Sequence, residues 1–225
     1  MMNMRKTAIG LAVLLLGLGI AGPASAATPS PPSGVLYTAI DDNKTNLSWV
    51  TPDATSAYVI YVNGVQARVS APAGSVIDIT LGRILGPKDV VEVAARAVDG
   101  ALSARVRAVY WQNDYVVIRA LTMHFAHDVT SLNADARAKI RAFATLMLRH
   151  GFASFKTLGY GSGKPGADGA YLMNRMRAKT AMYAIAKLVP DATHIVSSWG
   201  NVWPVTTATT EPGLLADRRV ELAVR

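Results

Sequence analysis

Two arginines, Arg218 and Arg219, stand side by side near the end of the chain, at the mouth of the alternating run Val220-Glu221-Leu222-Ala223-Val224. Successive strand side chains alternate sides, so Val220, Leu222 and Val224 share one face. Arginines at the end of a buried strand suit a carboxylate-bearing ligand, because guanidinium grips carboxylate through two parallel hydrogen bonds. A second candidate is Gly159-Tyr160-Gly161-Ser162-Gly163-Lys164-Pro165-Gly166, which has the look of a phosphate loop. That chemistry needs a glycine four residues ahead of Gly-Lys and a Ser or Thr after the lysine. Leu158 and Pro165 break both requirements. His124 and His127 are three apart at an expected strand end and point to opposite faces, a poor metal pair. The sequence shows no further Asp/Glu/His cluster and has no cysteine to act as a nucleophile. The reading is therefore a non-catalytic protein with no cofactor and no metal.

The elements that must position Arg218 and Arg219 can be read from periodicity. Val116–Phe125 is an apolar-leaning stretch expected to form a central strand. Asn133 offers an N-cap with Asp135 in the first turn, and Ile140, Phe143, Ala144, Met147 and Leu148 fall on one helical stripe that Gly151 ends. Phe152–Leu158 reads as a strand, 159–169 as a glycine-rich loop, and about 170–189 as a helix closed by Pro190. His194–Ser198 reads as a short strand, 200–213 as a long loop, and Arg219–Val224 as the last strand. Strands alternating with helices imply a two-layer α/β domain.

The preceding half reads differently. Short alternating runs over 34–40, 45–50, 57–62, 65–70, 76–81, 90–98 and 102–110 are broken by turn chemistry at Asp41-Asp42-Asn43, Asn63-Gly64, Gly86-Pro87 and Asp99-Gly100. Asn-Gly and Asp-Gly favour the positive φ of tight hairpins. Seven such strands imply an antiparallel β-sandwich. Trp49 and the tyrosines, at alternating spacing, fit a core better than a sugar-stacking platform.

Residues 1–26 carry Arg5 and Lys6, a charge-free apolar run over 7–22, and Ala24-Ser25-Ala26, a small-x-small site. This is the pattern of a cleaved secretory signal. The run is shorter than the roughly 20 residues a membrane span needs, and no other window reads as a transmembrane helix. Without cysteine there are no disulfides and no lipidated thiol. Removing 26 residues from 225 leaves 199, enough for one large or two small domains. Residues 27–111 hold seven Lys/Arg and seven Asp/Glu, whereas 112–225 hold fourteen and eight, net +6. The basic half attracts anionic polymers. Export and the lack of interleaved aromatic and basic residues argue against nucleic acid.

Several motifs resemble known families. Leu47-Ser48-Trp49, Tyr58-Val59-Ile60-Tyr61-Val62-Asn63-Gly64 and Ala97-Val98-Asp99-Gly100-Ala101-Leu102-Ser103 resemble strands and turns of the fibronectin type III domain, over about 31–111. Val91 stands where that family usually has tyrosine. His124-Phe125 with Asp128, Leu158-Gly159-Tyr160, Arg177-Ala178, His194-Ile195 through Gly200 with Pro204-Val205-Thr206, and Asp217-Arg218-Arg219-Val220-Glu221 resemble, in order, the motifs of the OmpA-like domain over about 115–224.

The second resemblance implies binding to the stem peptide of peptidoglycan through its diamino acid. A helix arginine would meet the ligand's carboxylate and a loop aspartate its ammonium. The arginine maps to Arg177. The aspartate position, fifteen residues earlier, holds Ser162, and the family's asparagine before the helix is Ala170. Asp168 could substitute if the loop is rearranged. Asp128 fits the first-strand site, with His127 in place of an aromatic.

The domain plan is thus a signal peptide at 1–26, a linker at 27–34, a fibronectin type III-like sandwich at 35–111 and an OmpA-like domain at 115–225. The ligand residues would be Asp128, Ser162, Arg177 and Arg219, with Arg177 and Arg219 on one pocket lip. The expected function is an exported envelope protein, in periplasm, wall or medium, that binds peptidoglycan non-covalently, weakly or with altered preference. The alternative is an envelope scaffold for other proteins whose OmpA-like domain no longer binds the wall.

Overall fold

The structure is a computed structural model that describes residues 28–51, 57–71, 76–112, 114–162, 168–200, 204–206 and 210–225. The segment 1–26, expected as a signal peptide, and the loop core at 163–167 lie outside the described residues, as do the side chains of Asp168 and Ala170.

Eight strands come first: β1 (Ser33–Asp41), β2 (Lys44–Val50), β3 (Ala57–Val62), β4 (Val65–Ser70), β5 (Val76–Leu81), β6 (Val91–Arg96), β7 (Val106–Arg107) and β8 (Val109–Tyr110). They form two sheets, ordered β5-β2-β1-β8 and β4-β3-β6-β7. Alternation does the work: Val35, Tyr37, Leu47 and Trp49 from the first sheet and Tyr58, Ile60, Val62, Val91 and Val93 from the second fill one core. Trp49 is a core residue in edge contact with Tyr58, ring centroids 5.1 Å apart. Asn63 and Gly64 take positive φ, as the β3–β4 hairpin requires. The run at 102–110, expected as one strand, is broken into a bridge at Leu102 and the two short pieces β7 and β8, which join different sheets.

The rest is β9 (Val116–Val117), β10 (Met123–His124), α1 (Ala134–His150), β11 (Ser154–Tyr160), α2 (Asp168–Ala186), β12 (Thr193–Gly200), α3 (Glu211–Asp217) and β13 (Arg219–Val224). The sheet runs β10-β13-β11-β12, with β9 also on β13. Phe155, Val220, Leu222 and Val224 meet Ile140, Phe143, Met147, Ala181 and Ile185, so both helices cover one face of the sheet. Asn133 caps α1 by accepting from the Ala136 N–H, and Gly151 ends it at φ 76°.

Two expectations are corrected. The stretch 116–125 is not one strand: Val117 pairs with Ala223 and Met123 with Val220, so the edge chain spends six steps where β13 spends three. The excess folds into a 3₁₀ turn at Arg119–Leu121, whose Ala120 N–H reaches the Asp42 carboxylate of the sandwich. The expected loop at 200–213 runs into a short helix, α3, with Pro212 in its first turn.

The two parts are packed together. Tyr110 and Ala39 of the sandwich touch the α/β core. Gly86–Asp89 abuts the end of α1: the Lys88 N–H donates to the His150 carbonyl, and His150 Nδ1 lies 2.6 Å from Asp89 Oδ2. A Cβ on Gly86 would sit 2.5 Å from the His150 carbonyl oxygen, so the contact needs glycine. Burial pushes the Asp89 carboxyl up, but hydrogen bonds from the Gly86 N–H, His150 and Asn63 outweigh it and leave the pKa below the ordinary value.

Candidate functional site

The end of the α/β sheet opens into a cleft of about 330 Å³ lined by His127, Asp128, Ser162, Met173, Asn174, Arg177 and Arg218. Three segments converge there because of how the sheet is built. The turn after β10 brings Asp128, the loop after β11 brings Ser162, and the junction of α3 with β13 brings Arg218. α2 lies across them with Arg177 on its sheet-facing side.

Arg177 is only 2% exposed and its guanidinium is fixed on three sides. Nε donates to the Val129 carbonyl at 2.8 Å, Nη2 to the Ala126 carbonyl at 3.0 Å and Nη1 to Asn174 Oδ1 at 3.3 Å. A guanidinium has five N–H donors, so these three bonds leave two over on a side chain that lines the cleft. Burial first, and then the neighbouring charge of Arg218, lower its pKa, with Asp128 acting the other way. The same bonds hold the 126–129 turn, in which Asp128 adopts φ 50° and pairs with His127 at 3.0 Å in the solvent.

Arg218 is the second cation. Its Nε donates to Ser162 Oγ at 2.8 Å, and its two terminal nitrogens grip the Glu211 carboxylate, with Nη2 at 3.0 Å from Oε2. Glu211 is mostly exposed, and the hydrogen bond from Arg218 is the main cause of its lowered pKa. Asp217, next in the chain, is buried and accepts the Val205 and Thr206 N–H groups at 2.7 and 3.2 Å, anchoring the preceding loop.

Two glycines let the loop and α2 approach. A Cβ on Gly159 would lie 2.2 Å from the Asn174 carbonyl oxygen, and one on Gly161 would lie 2.2 Å from Asn174 Nδ2. Asn174 is 1% exposed, and its Nδ2 has no hydrogen-bond partner among the described residues. A buried amide donor without a partner is uncommon, and this one borders the cleft.

The structure brings together Asp128, Ser162 and Arg177. It does not bring Arg219. That side chain lies on the other face of the sheet, its guanidinium 3.9 Å from the Tyr160 ring centroid and its Nε 2.8 Å from Glu221. The expected convergence of Arg177 and Arg219 on one lip is therefore corrected: Arg218 is the partner. The reason is strand parity. Arg218 has the parity of Val220, which faces the helices, whereas Arg219 has that of Glu221 and Ala223. Sequence reasoning weighed Arg218 and Arg219 as a pair and missed that Arg218 is the one at the cleft, although the alternation that places it was already visible. It also missed Glu211, hidden in a stretch read as loop, and Asn174.

No family model matches the chain, and no curated protein matches it. Among solved structures, the peptidoglycan-associated lipoprotein from Burkholderia pseudomallei is similar at 20% identity and a TM-score of 0.43, over 46% of this chain and 89% of that one. The cell wall anchor of the T6SS from Pseudomonas aeruginosa is similar at 18% identity and 0.40, over 46% and 78%. The OmpA-like domain of FopA1 from Francisella tularensis is similar at 18% identity and 0.39, over 63% and 79%.

Proposed function

We propose that this is an exported, non-catalytic cell-envelope protein: a fibronectin type III-like spacer over 35–111 followed by an OmpA-like domain over 115–225 that holds the stem peptide of peptidoglycan. The observation that carries the reading is the pairing of Arg177 and Arg218 at one cleft, each guanidinium set by neighbours before any ligand arrives. Preorganised guanidinium suits the bidentate grip on a carboxylate. The other half of an amino-acid end is an ammonium. Ser162 cannot supply a charge for it, and its Oγ already accepts from Arg218. Glu211, beside Arg218, and Asp128, across the cleft, supply the negative charge instead. The site is thus rebuilt around an acid from α3, which fits an altered ligand preference.

A charge-assisted hydrogen bond contributes on the order of 1.5–3 kcal/mol, so removing one arginine should weaken binding by roughly ten- to a hundredfold. Co-sedimentation with purified sacculi, followed by titration with diaminopimelate against lysine, tests this. Arg218→Ala leaves the loop anchored by Arg177 in place and is the cleaner variant. Equal pelleting of parent and variant would refute the site.

A second reading rests on the Arg218–Glu211 pair itself. A cleft whose cation already holds a carboxylate of its own chain can serve as a closed structural joint in a scaffold for envelope proteins. No sacculus binding by the parent, together with a stoichiometric protein partner, would favour it.

A further inference from the structure

The helical layer carries a second surface, formed by none of the cleft residues. Along one flank of α1 run Arg137, Arg141 and Leu148, and along the facing flank of α2 run Met176, Thr180 and Tyr183, with Lys187 just past its end. The spacings, four and seven along α1 and three or four along α2, keep each set on one side of its helix. Between them lies a cleft of about 510 Å³ floored by Leu132, Ile140, Ala184 and Leu188.

Two features mark this surface. The first is charge. α1 contains four Lys/Arg against one acid, Asp135, which is itself taken by Lys139 at 2.9 Å. No ion pair engages Arg137, Arg141 or Lys187 among the described residues. The second is apolar exposure. Tyr183 is 59% exposed and Leu148 57%, and Met176 and Leu188 are also exposed.

We propose that this face docks on an anionic phospholipid bilayer. Long basic side chains can keep their charged ends among lipid phosphates while their stems run along apolar surface. Leu, Met and Tyr between them reach the headgroup–acyl boundary, the arrangement of a helix that lies in a membrane interface. A bilayer supplies a mobile anion for each cation and an apolar layer beneath, so it matches a scattered pattern that a fixed acidic protein surface would have to mirror residue by residue. Among the described residues no helix is long and apolar enough to cross a membrane; the proposed contact is with the surface only.

Flotation of the full chain with phosphatidylcholine vesicles, with and without phosphatidylglycerol, tests this. The apolar N-terminal segment is common to every variant and sets a shared baseline. Binding above that baseline should require phosphatidylglycerol and fall with added salt. Each cation near an anionic surface contributes about fivefold in affinity, so Arg137→Gln/Arg141→Gln/Lys187→Gln should lose on the order of a hundredfold. Tyr183→Ser/Leu188→Ser should weaken binding without changing its salt dependence. Arg68→Gln/Arg105→Gln, in the sandwich, should change it by less than about twofold. Equal binding to vesicles without phosphatidylglycerol, an equal loss from the sandwich pair, or capture of an acidic protein with no vesicle binding would each overturn the proposal. Sacculus binding by the same variants reads the other cleft, so the two proposals fail separately.

Discussion

Arg218 and Arg219 are neighbours in the chain and face opposite sides of the sheet. Arg218 reaches Ser162 and Glu211 at the cleft that also holds Arg177, while Arg219 stacks on Tyr160 and pairs with Glu221. The sheet thus separates two adjacent charges into two chemical environments. The first borders an open cleft; the second is an aromatic and carboxylate nest in which burial, and then Glu221, push the Tyr160 hydroxyl up to about 12.

The contact between Asp89 and His150 should tie the sandwich to the α/β part. Asp89→Asn removes a buried, charge-assisted acceptor and should cost about 1–3 kcal/mol, read as a lower midpoint in denaturant. Its folded pKa is depressed, so its stabilisation is full above the ordinary aspartate range and is lost as pH falls through the folded value. Parent and variant melts should therefore converge in strong acid and separate near neutrality. A constant gap across that range would show that the ionised carboxylate is not the source.

Glu211→Gln should reduce discrimination between diaminopimelate and its analogue without amino groups, pimelate. The gap should narrow chiefly through weaker diaminopimelate binding. Because Arg218 lowers the Glu211 pKa, the parent's preference should hold across neutral pH and fade only in acid. Titration calorimetry at several pH values checks this, and an unchanged preference in the variant would exclude Glu211 from the ammonium site.

Gly159→Ala should destabilise the α/β part, since its Cβ would meet backbone of α2 rather than a movable side chain. Overpacking of this kind costs about 1–3 kcal/mol. Gly161→Ala presses instead on the Asn174 amide and should weaken ligand binding more than it lowers the melting temperature. Thermal melts beside binding titrations distinguish the two.

Much of this architecture was legible in the chain because burial imposes a period. The cap at Asn133, the stop at Gly151, the alternation of Val220, Leu222 and Val224 and the stripe of Ile140, Phe143, Ala144 and Met147 each follow from one local rule, and the structure repeats them; Leu148, expected on the same stripe, is instead 57% exposed. What escaped were features set by partners far away in sequence. The break in 116–125 depends on pairing to β13, and α3 on the way its short segment returns to the cleft. The packing of Gly86–Asp89 on His150 joins segments about sixty residues apart, beyond any window. Within the site, Ser162 and Arg177, both expected as ligand residues, line one cleft, and Asn174 was hidden because a polar residue on a helix usually faces water. The choice of Arg219 over Arg218 was a parity error, not a missing signal.

The most direct measurement is sacculus co-sedimentation of Arg218→Ala beside Arg219→Ala, both checked for an intact thermal transition. Arg218→Ala should bind roughly ten- to a hundredfold more weakly than the parent, with Arg219→Ala close to the parent. Loss of binding in Arg219→Ala with Arg218→Ala unaffected would contradict the cleft as the wall-binding site.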